Sequence, residues 1–203
     1  PPTPEKPDSV TPVGPSPAQP SQPQQPASPP ETPALPFGDV AETAWYAEAV
    51  TLAYEKGLMS GVSSDTFAPD RDTTRGMIVT ILARMDGVDT SGGQTWFETG
   101  RAWAIENGIS DGTDMPGNIT REQLALMLFR YAAHKGWAAS ARAALDAYAD
   151  GSSISVWAAD AMSWAVAAGL IQGRGGNMLA PQGKASRAET AAILTRFLQA
   201  FSL

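Results

Sequence analysis

The stretch AWYAEAVTLAYEKGLMSGVSSDTFAPDRDTTRGM, residues 44–77, holds the key to the architecture. Its opening part, down to Gly57, is rich in Ala, free of Pro and apolar at helical spacing, which predicts a helix closed by a left-handed glycine cap. Its end, Thr74-Arg75-Gly76-Met77, announces a second helix: Thr74 is a capping residue, and Ile78, Ile81, Leu82 and Met85 continue as an apolar stripe. The unit is therefore helix, loop, helix.

The unit recurs. From Trp45 the steps to Gly57, Gly61, Pro69 and Arg75 are 12, 4, 8 and 6 residues, and from Trp157 the steps to Gly169, Gly173, Pro181 and Arg187 are the same. A middle copy runs Trp96, Gly108, Gly112, Pro116, Arg121 with steps of 12, 4, 4 and 5, so its loop is shorter. The second helices carry matching stripes: Leu124, Met127, Leu128 and Tyr131, then Thr190, Ile193, Leu194 and Phe197. Thr120 with Gln123, and Ser186 with Glu189, form capping boxes, whereas Met77 cannot return the reciprocal bond to Thr74. In the first helices the equivalents Ala49, Gly100 and Ala161, and Ala53, Ala104 and Ala165, are small, which implies a neighbouring helix close to that face. A two-helix unit cannot bury its apolar face alone, so three should pack about a common centre. The fold class expected is all-α: three tandem helix-loop-helix repeats in a pseudo-threefold bundle, the second helices at its centre. The Ala-rich run from Trp137 to Tyr148 reads as an extra connecting helix.

The boundaries follow from composition. Fourteen of the 17 prolines fall in residues 1–36, among Ser, Thr and Gln, so this segment reads as an extended Pro-rich linker of polyproline II type. Repeat one spans 37–90, repeat two with the connecting helix 91–146, and repeat three 147–203. The N-terminus has no charged start and apolar block of a signal peptide, and reads as the middle of a longer polypeptide. No apolar stretch approaches the roughly 18 residues of a membrane span.

Charge and residue usage narrow the function. With 14 basic against 21 acidic residues the net charge is −7, the wrong sign for nucleic acid. Cysteine is absent and His134 is the single histidine, which removes disulfides, thiol nucleophiles and Cys- or His-rich metal sites. Asp111 and Asp114 sit in a DGTD turn and read as turn formers rather than as a paired acid and base. No cofactor, metal or catalytic residue is expected.

Arg75, Arg121 and Arg187 each follow a helix cap, where the dipole favours negative charge. Their threefold placement against that preference suggests a local role in bidentate binding of a carboxylate beside helix N-terminal amides, with a salt bridge between repeats as the structural alternative. Arg84, Arg130 and Arg196 recur nine residues on, near the C-terminal ends of the helices, and read as structural. Trp45, Trp96 and Trp157 read as core or groove wall, with sugar stacking as the other use. Asp39 and Asp150 suit loop capping or sugar hydroxyls equally.

The markers FGDV (37–40), GLMSG (57–61), FAPD (67–70) and TRGM (74–77) resemble the S-layer homology repeat. So do YADG (148–151), GLIQG (169–173) and SRAE (186–189), and the middle GISDG (108–112) with TREQ (120–123). The resemblance covers residues 37–203. It implies a three-pronged helical spindle without catalytic activity. Such a module anchors a surface protein to secondary cell-wall polysaccharide or a peptidoglycan-linked glycan, often pyruvylated, on the bacterial cell surface, with surface-layer self-association as a further partner. Its ligand sites map onto Arg75, Arg121, Arg187, Asp39, Asp150 and the glycines Gly57, Gly108 and Gly169. The second copy has VDTSGGQTW in place of a Phe-x-Asp-Val opening, which puts one groove in doubt. The alternative is a degenerate array that spaces or assembles its parent protein without binding glycan.

Overall fold

A computed structural model describes residues 35–137 and 140–203, so the expected linker lies outside the described residues apart from Leu35 and Pro36. Six helices follow one another as α1 (Ala47–Glu55), α2 (Arg75–Met85), α3 (Glu98–Glu106), α4 (Arg121–His134), α5 (Ala159–Ala167) and α6 (Arg187–Ala200). Each repeat contributes two. The architecture is all-α, as the periodicity implies, with short 3₁₀ turns at Gly151–Ser153 and Val156–Ala158 and isolated bridges only among the described residues. No described helix is long and apolar enough to cross a membrane.

The local signals act as the sequence suggests. Gly57, Gly108 and Gly169 close α1, α3 and α5 with φ of 67°, 68° and 70°. In α4 and α6 both halves of the capping box form, while Thr74 accepts from the Met77 amide with no return bond. The apolar stripes of α2, α4 and α6 are buried in one continuous core.

The order of packing is cyclic. The second helix of each repeat lies against the first helix of the next: α2 on α3, α4 on α5, and α6 back on α1. The α2–α3 approach depends on Gly100, where a Cβ would lie 2.8 Å from Thr80 Cα. The second helices meet nearer the centre through side chains, with the Tyr131 and Phe197 rings 5.9 Å apart.

The stretches of chain leading into α2, α4 and α6 close the ring. The Thr73 amide donates to the Ala185 carbonyl (2.9 Å), Ala185 to Ile119 (3.1 Å) and Ile119 to Thr73 (2.9 Å). All three residues are fully buried, so this triangle satisfies backbone groups that have no helix to serve them. A hydroxyl pair, Thr73 with Thr190 at 2.9 Å, joins repeats one and three beside it.

The expected connecting helix is absent: the described residues between Trp137 and Tyr148 carry no helix. Gly136, at φ 69°, ends α4, and the chain beyond is held against α5 and the third repeat. Ala143 exchanges bonds with Ser163, Arg142 forks onto Asp160 (2.6 and 2.9 Å), and Asn177 donates to the Ala147 carbonyl. Alanine's helix preference is a few tenths of a kcal/mol per residue and an isolated short helix is marginal, so these tertiary bonds decide the conformation.

Candidate functional site

The ring of repeats leaves three equivalent grooves, and each is built from all three repeats. Groove one takes the Leu58–Gly61 turn and the α2 residues Met77, Thr80, Ile81 and Arg84 from repeat one, Trp96 from repeat two, and Arg187 from repeat three. Groove two combines Ser110, Asp111 and Arg130 of repeat two with Trp157 and Arg75. Groove three combines Gln172, Gly173, Arg174, Glu189 and Arg196 of repeat three with Trp45 and Arg121. Their volumes are about 220, 320 and 210 Å³.

The motif arginines are clamps between repeats. Arg187 donates from Nε to the Phe67 carbonyl (2.8 Å) and from Nη2 to the Ser60 carbonyl (2.6 Å), and lies 4.4 Å from the Phe67 ring centre. Arg121 repeats this on Leu179 (2.8 Å) and Gln172 (2.7 Å). Arg75 donates from Nε to the Thr113 carbonyl (3.0 Å) and from Nη2 to Asp111 (2.7 Å). Arg121 and Arg187 are only 3% and 4% exposed. Burial pulls the pKa of both below the ordinary arginine value, but a guanidinium starts so high that it stays charged. Their forks are largely occupied by protein carbonyls, and what reaches the groove is the remaining face.

The helix N-terminal amides, expected to be open to a ligand, are already used. Those of Arg75 and Gly76 donate to Gly117 and Met115, those of Arg121 and Glu122 to Gly183 and Pro181, and those of Arg187 and Ala188 to Arg71 and Pro69. The next amide in each helix bonds the cap. A substituent reaching these grooves therefore meets side chains rather than a vacant helix end.

The second arginine series occupies the position that the first does not. Nine residues along a helix is about 13.5 Å, so Arg75 and Arg84 serve different grooves. Arg84 and Arg130 are exposed and Arg196 is half-buried, and their hydrogen bonds go to neutral oxygens: Thr90 Oγ1, the Ile109 carbonyl and the Leu170 carbonyl. Among the described residues none has a carboxylate within 4 Å. Burial lowers the Arg196 pKa, again without discharging it.

The tryptophans stand at the position before each first-helix cap and line the grooves with rings 67% (Trp45), 55% (Trp96) and 53% (Trp157) exposed. Trp45 and Trp96 are braced edge-on by Tyr46 and Phe97 at 5.3 and 5.2 Å, which leaves flat apolar faces toward solvent. Such faces suit the C–H surface of a sugar ring.

Asp39 and Asp150 lie outside the groove linings. Asp39 accepts from the amides of Phe67 (2.8 Å) and Ala68 (2.7 Å), and Asp150 from Leu179 (2.8 Å) and Ala180 (2.7 Å). Each carboxylate thus fixes a loop in which Ala68 or Ala180 has positive φ. Gly57, Gly108 and Gly169 are helix caps facing open space, whereas Gly61 and Gly173, four residues on, line grooves one and three. Asp111 accepts from the Thr113 amide and hydroxyl, and that amide, with the hydroxyl and the Arg75 charge, holds its pKa below the ordinary carboxylate range.

Charge distinguishes the grooves. Groove one has Arg84 and Arg187 and no carboxylate in its lining. In groove three Glu189 is engaged bidentately by Arg174 (2.8 and 2.6 Å) and lies 3.6 Å from Arg121, with Arg196 still to spare. Burial pushes the Glu189 pKa up, but Arg174, the Ser186 amide and Arg121 together pull it below its ordinary value. Groove two carries Asp111 against Arg75 and Arg130. Three acids and one base precede residue 37, so the remainder has a net charge of −5 while each groove is lined by a cationic excess.

The cross-repeat assembly is the feature that spacing alone hides. Recurrence of Arg84, Arg130 and Arg196 is the signal that points to them, but only the ring shows that they face a cleft.

The S-layer homology domain profile matches residues 36–76 and 147–191. The chain is similar to an endoglucanase of Bacillus sp. strain KSM-635, 30% identical over 177 residues, which covers 81% of this chain and 19% of that protein. It is also similar to a surface-layer 125 kDa protein of Lysinibacillus sphaericus, 30% identical over 46% of this chain and 10% of the relative. A third relative, cell surface glycoprotein 1 of Acetivibrio thermocellus, is 26% identical over 51% of this chain and 5% of its own length. The chain therefore spans less than a fifth of these relatives. Its first and third repeats carry the match to the S-layer homology domain family.

Proposed function

We propose that residues 37–203 form a non-catalytic wall-anchoring module of three S-layer homology repeats, the middle one included, whose grooves bind an anionic secondary cell-wall polysaccharide and so tether a larger protein to the bacterial cell surface. One observation carries this reading: each groove joins an exposed tryptophan, a cation without an acidic partner and an inter-repeat arginine, the last buried in grooves one and three and partly buried in groove two. The family match and the surface proteins among the relatives support the location. The tryptophan face takes the sugar ring, and Arg84, Arg130 and Arg196 meet the acidic substituent, a pyruvate ketal being one that fits. A charge-assisted contact contributes about 1.5–3 kcal/mol. Three such grooves on one polymer strengthen each other through effective concentration. Groove one, without a carboxylate, should be the strongest, and groove two, with Asp111, the weakest.

The test is co-sedimentation of the chain with wall sacculi before and after chemical removal of the acidic substituent. Binding should be lost on removal and in a triple Arg84→Ala, Arg130→Ala, Arg196→Ala variant that melts like wild type. Full binding by that variant refutes the assignment. Self-association without glycan affinity would favour the assembly module instead.

A further inference from the structure

A fourth cavity lies off the threefold set, where the C-terminal ends of α1, α2, α4 and α6 converge. It measures about 320 Å³, in the range of small-ligand sites, and its lining includes Lys56, Leu58, Arg84, Tyr131, Lys135 and Trp137. Two of these, Leu58 and Arg84, also line groove one. The two spaces therefore adjoin, with Leu58 and Arg84 in the walls of both.

We propose that this cavity extends groove one as a second subsite for the same acidic glycan, receiving the sugar next to the one held against Trp96. The inference rests on the groove reading above.

Tyr131 carries it. The residue is 1% exposed, yet its hydroxyl has no hydrogen-bond partner among the described residues, although its ring is packed by Trp103, Trp137 and Phe197. The hydroxyl is not sealed in: among the described residues only Thr195 Oγ1 is an enclosed side-chain oxygen without a partner, and Tyr131 lines the cavity, so its hydroxyl opens there. Burial, aided by the negative charge of Asp86, pushes its pKa up to about 12, so at neutral pH the group is a proton donor. An acceptor that enters the cavity can take its proton in a hydrogen bond.

The charges around the cavity say which kind. Lys135 is paired with Asp86 at 2.7 Å, so its charge is already balanced. Lys56 and Arg84 have no carboxylate within 4 Å among the described residues. A hydroxyl donor and two cations without a carboxylate partner in the wall of one cavity favour an oxygen-rich anion. Leu58, Trp137 and Met85 supply an apolar wall suited to a sugar's C–H face. A polymer that already places an acid on Arg84 reaches this space without a new point of attachment.

The test uses the full chain and polysaccharide released from Lysinibacillus sphaericus sacculi, separated into single repeating units and fragments of four or more, with affinities from calorimetry. Lys56→Ala and Tyr131→Phe should each weaken long fragments threefold or more and leave single-unit binding unchanged, whereas Arg84→Ala should weaken both. Long-fragment binding at wild-type strength in Lys56→Ala and Tyr131→Phe overturns the second subsite while leaving the groove reading intact. An effect of Lys56→Ala alone also overturns it, since that is non-specific charge. No binding of any fragment by wild type refutes the groove reading and the extension with it. If Tyr131→Phe does not fold, fluorine NMR of the 3-fluorotyrosine-labelled chain replaces it: the Tyr131 resonance should shift with long fragments only, and its failure to move overturns the proposal.

Discussion

Replacing Arg187 by alanine separates a clamp from a ligand contact. The substitution removes two charge-assisted bonds, to the Phe67 carbonyl at 2.8 Å and the Ser60 carbonyl at 2.6 Å, and a cation–π contact of 4.4 Å. The bonds are worth about 1.5–3 kcal/mol each and the ring contact about 0.5–2 kcal/mol. Against this, the charge no longer has to be held in a site only 4% exposed, which returns several kcal/mol of desolvation. Two carbonyls are left short of a donor, and the net loss should be about 3 kcal/mol. For a domain of this size that lowers Tm by roughly 6–12 °C. The assay is differential scanning calorimetry of Arg187→Ala beside Arg84→Ala. Arg84 is exposed and bonds the Thr90 hydroxyl, so its loss should move Tm by no more than about 2 °C. If Arg187→Ala melts within about 2 °C of wild type, Arg187 holds no repeats together and the clamp account is wrong.

Asp150→Asn should destabilise by about 1–3 kcal/mol, because an amide can accept only one of the two bonds from Leu179 and Ala180 and turns a donor toward the other; an unchanged urea midpoint would contradict this. Gly100→Ala should cost about 1–3 kcal/mol through overpacking, since its Cβ would meet Thr80 backbone at 2.8 Å, and a variant as stable as wild type would show that α2 and α3 can separate freely. Acid should unfold the domain: the pKa values of Glu189, Asp111 and Asp86 are depressed in the fold, so their stabilisation is complete above the ordinary carboxylate values near ~4 and is lost as pH falls through the folded ones. Tm should thus be level from about pH 5 to 7 and drop below about pH 4, and Glu189→Gln should flatten part of that drop. Glycan binding should weaken severalfold between about 0.05 and 0.5 M salt, because the Debye length falls below the spacing of the groove charges; salt-independent affinity would exclude the arginine contacts.

The two-helix repeat is legible in the sequence because its determinants are local: a capping side chain, a glycine at positive φ and an apolar stripe at helical period act within a few residues. The same reasoning fails for residues 137–148. There alanine content favours a helix weakly, while bonds to Ser163, Asp160 and Asn177 lie 18 to 30 residues away in the chain. Within the candidate site, the tryptophans and the two arginine series are visible as recurrences. What each arginine does is not, because a cap-adjacent arginine has the same sequence neighbours whether it faces solvent or a carbonyl of another repeat.

Primary structure was enough for the two-helix unit, its recurrence and the apolar stripes of the core, since these follow from periodicity and near-neighbour chemistry. Which residues share a cleft was settled by assembly of the ring. It brings Arg84, Trp96 and Arg187 together from three different repeats and turns the helix N-terminal amides inward onto loop carbonyls. The reason is geometric: closing three units on one another sets contacts between positions about a hundred residues apart, and nothing in local spacing encodes which face of one repeat meets the next.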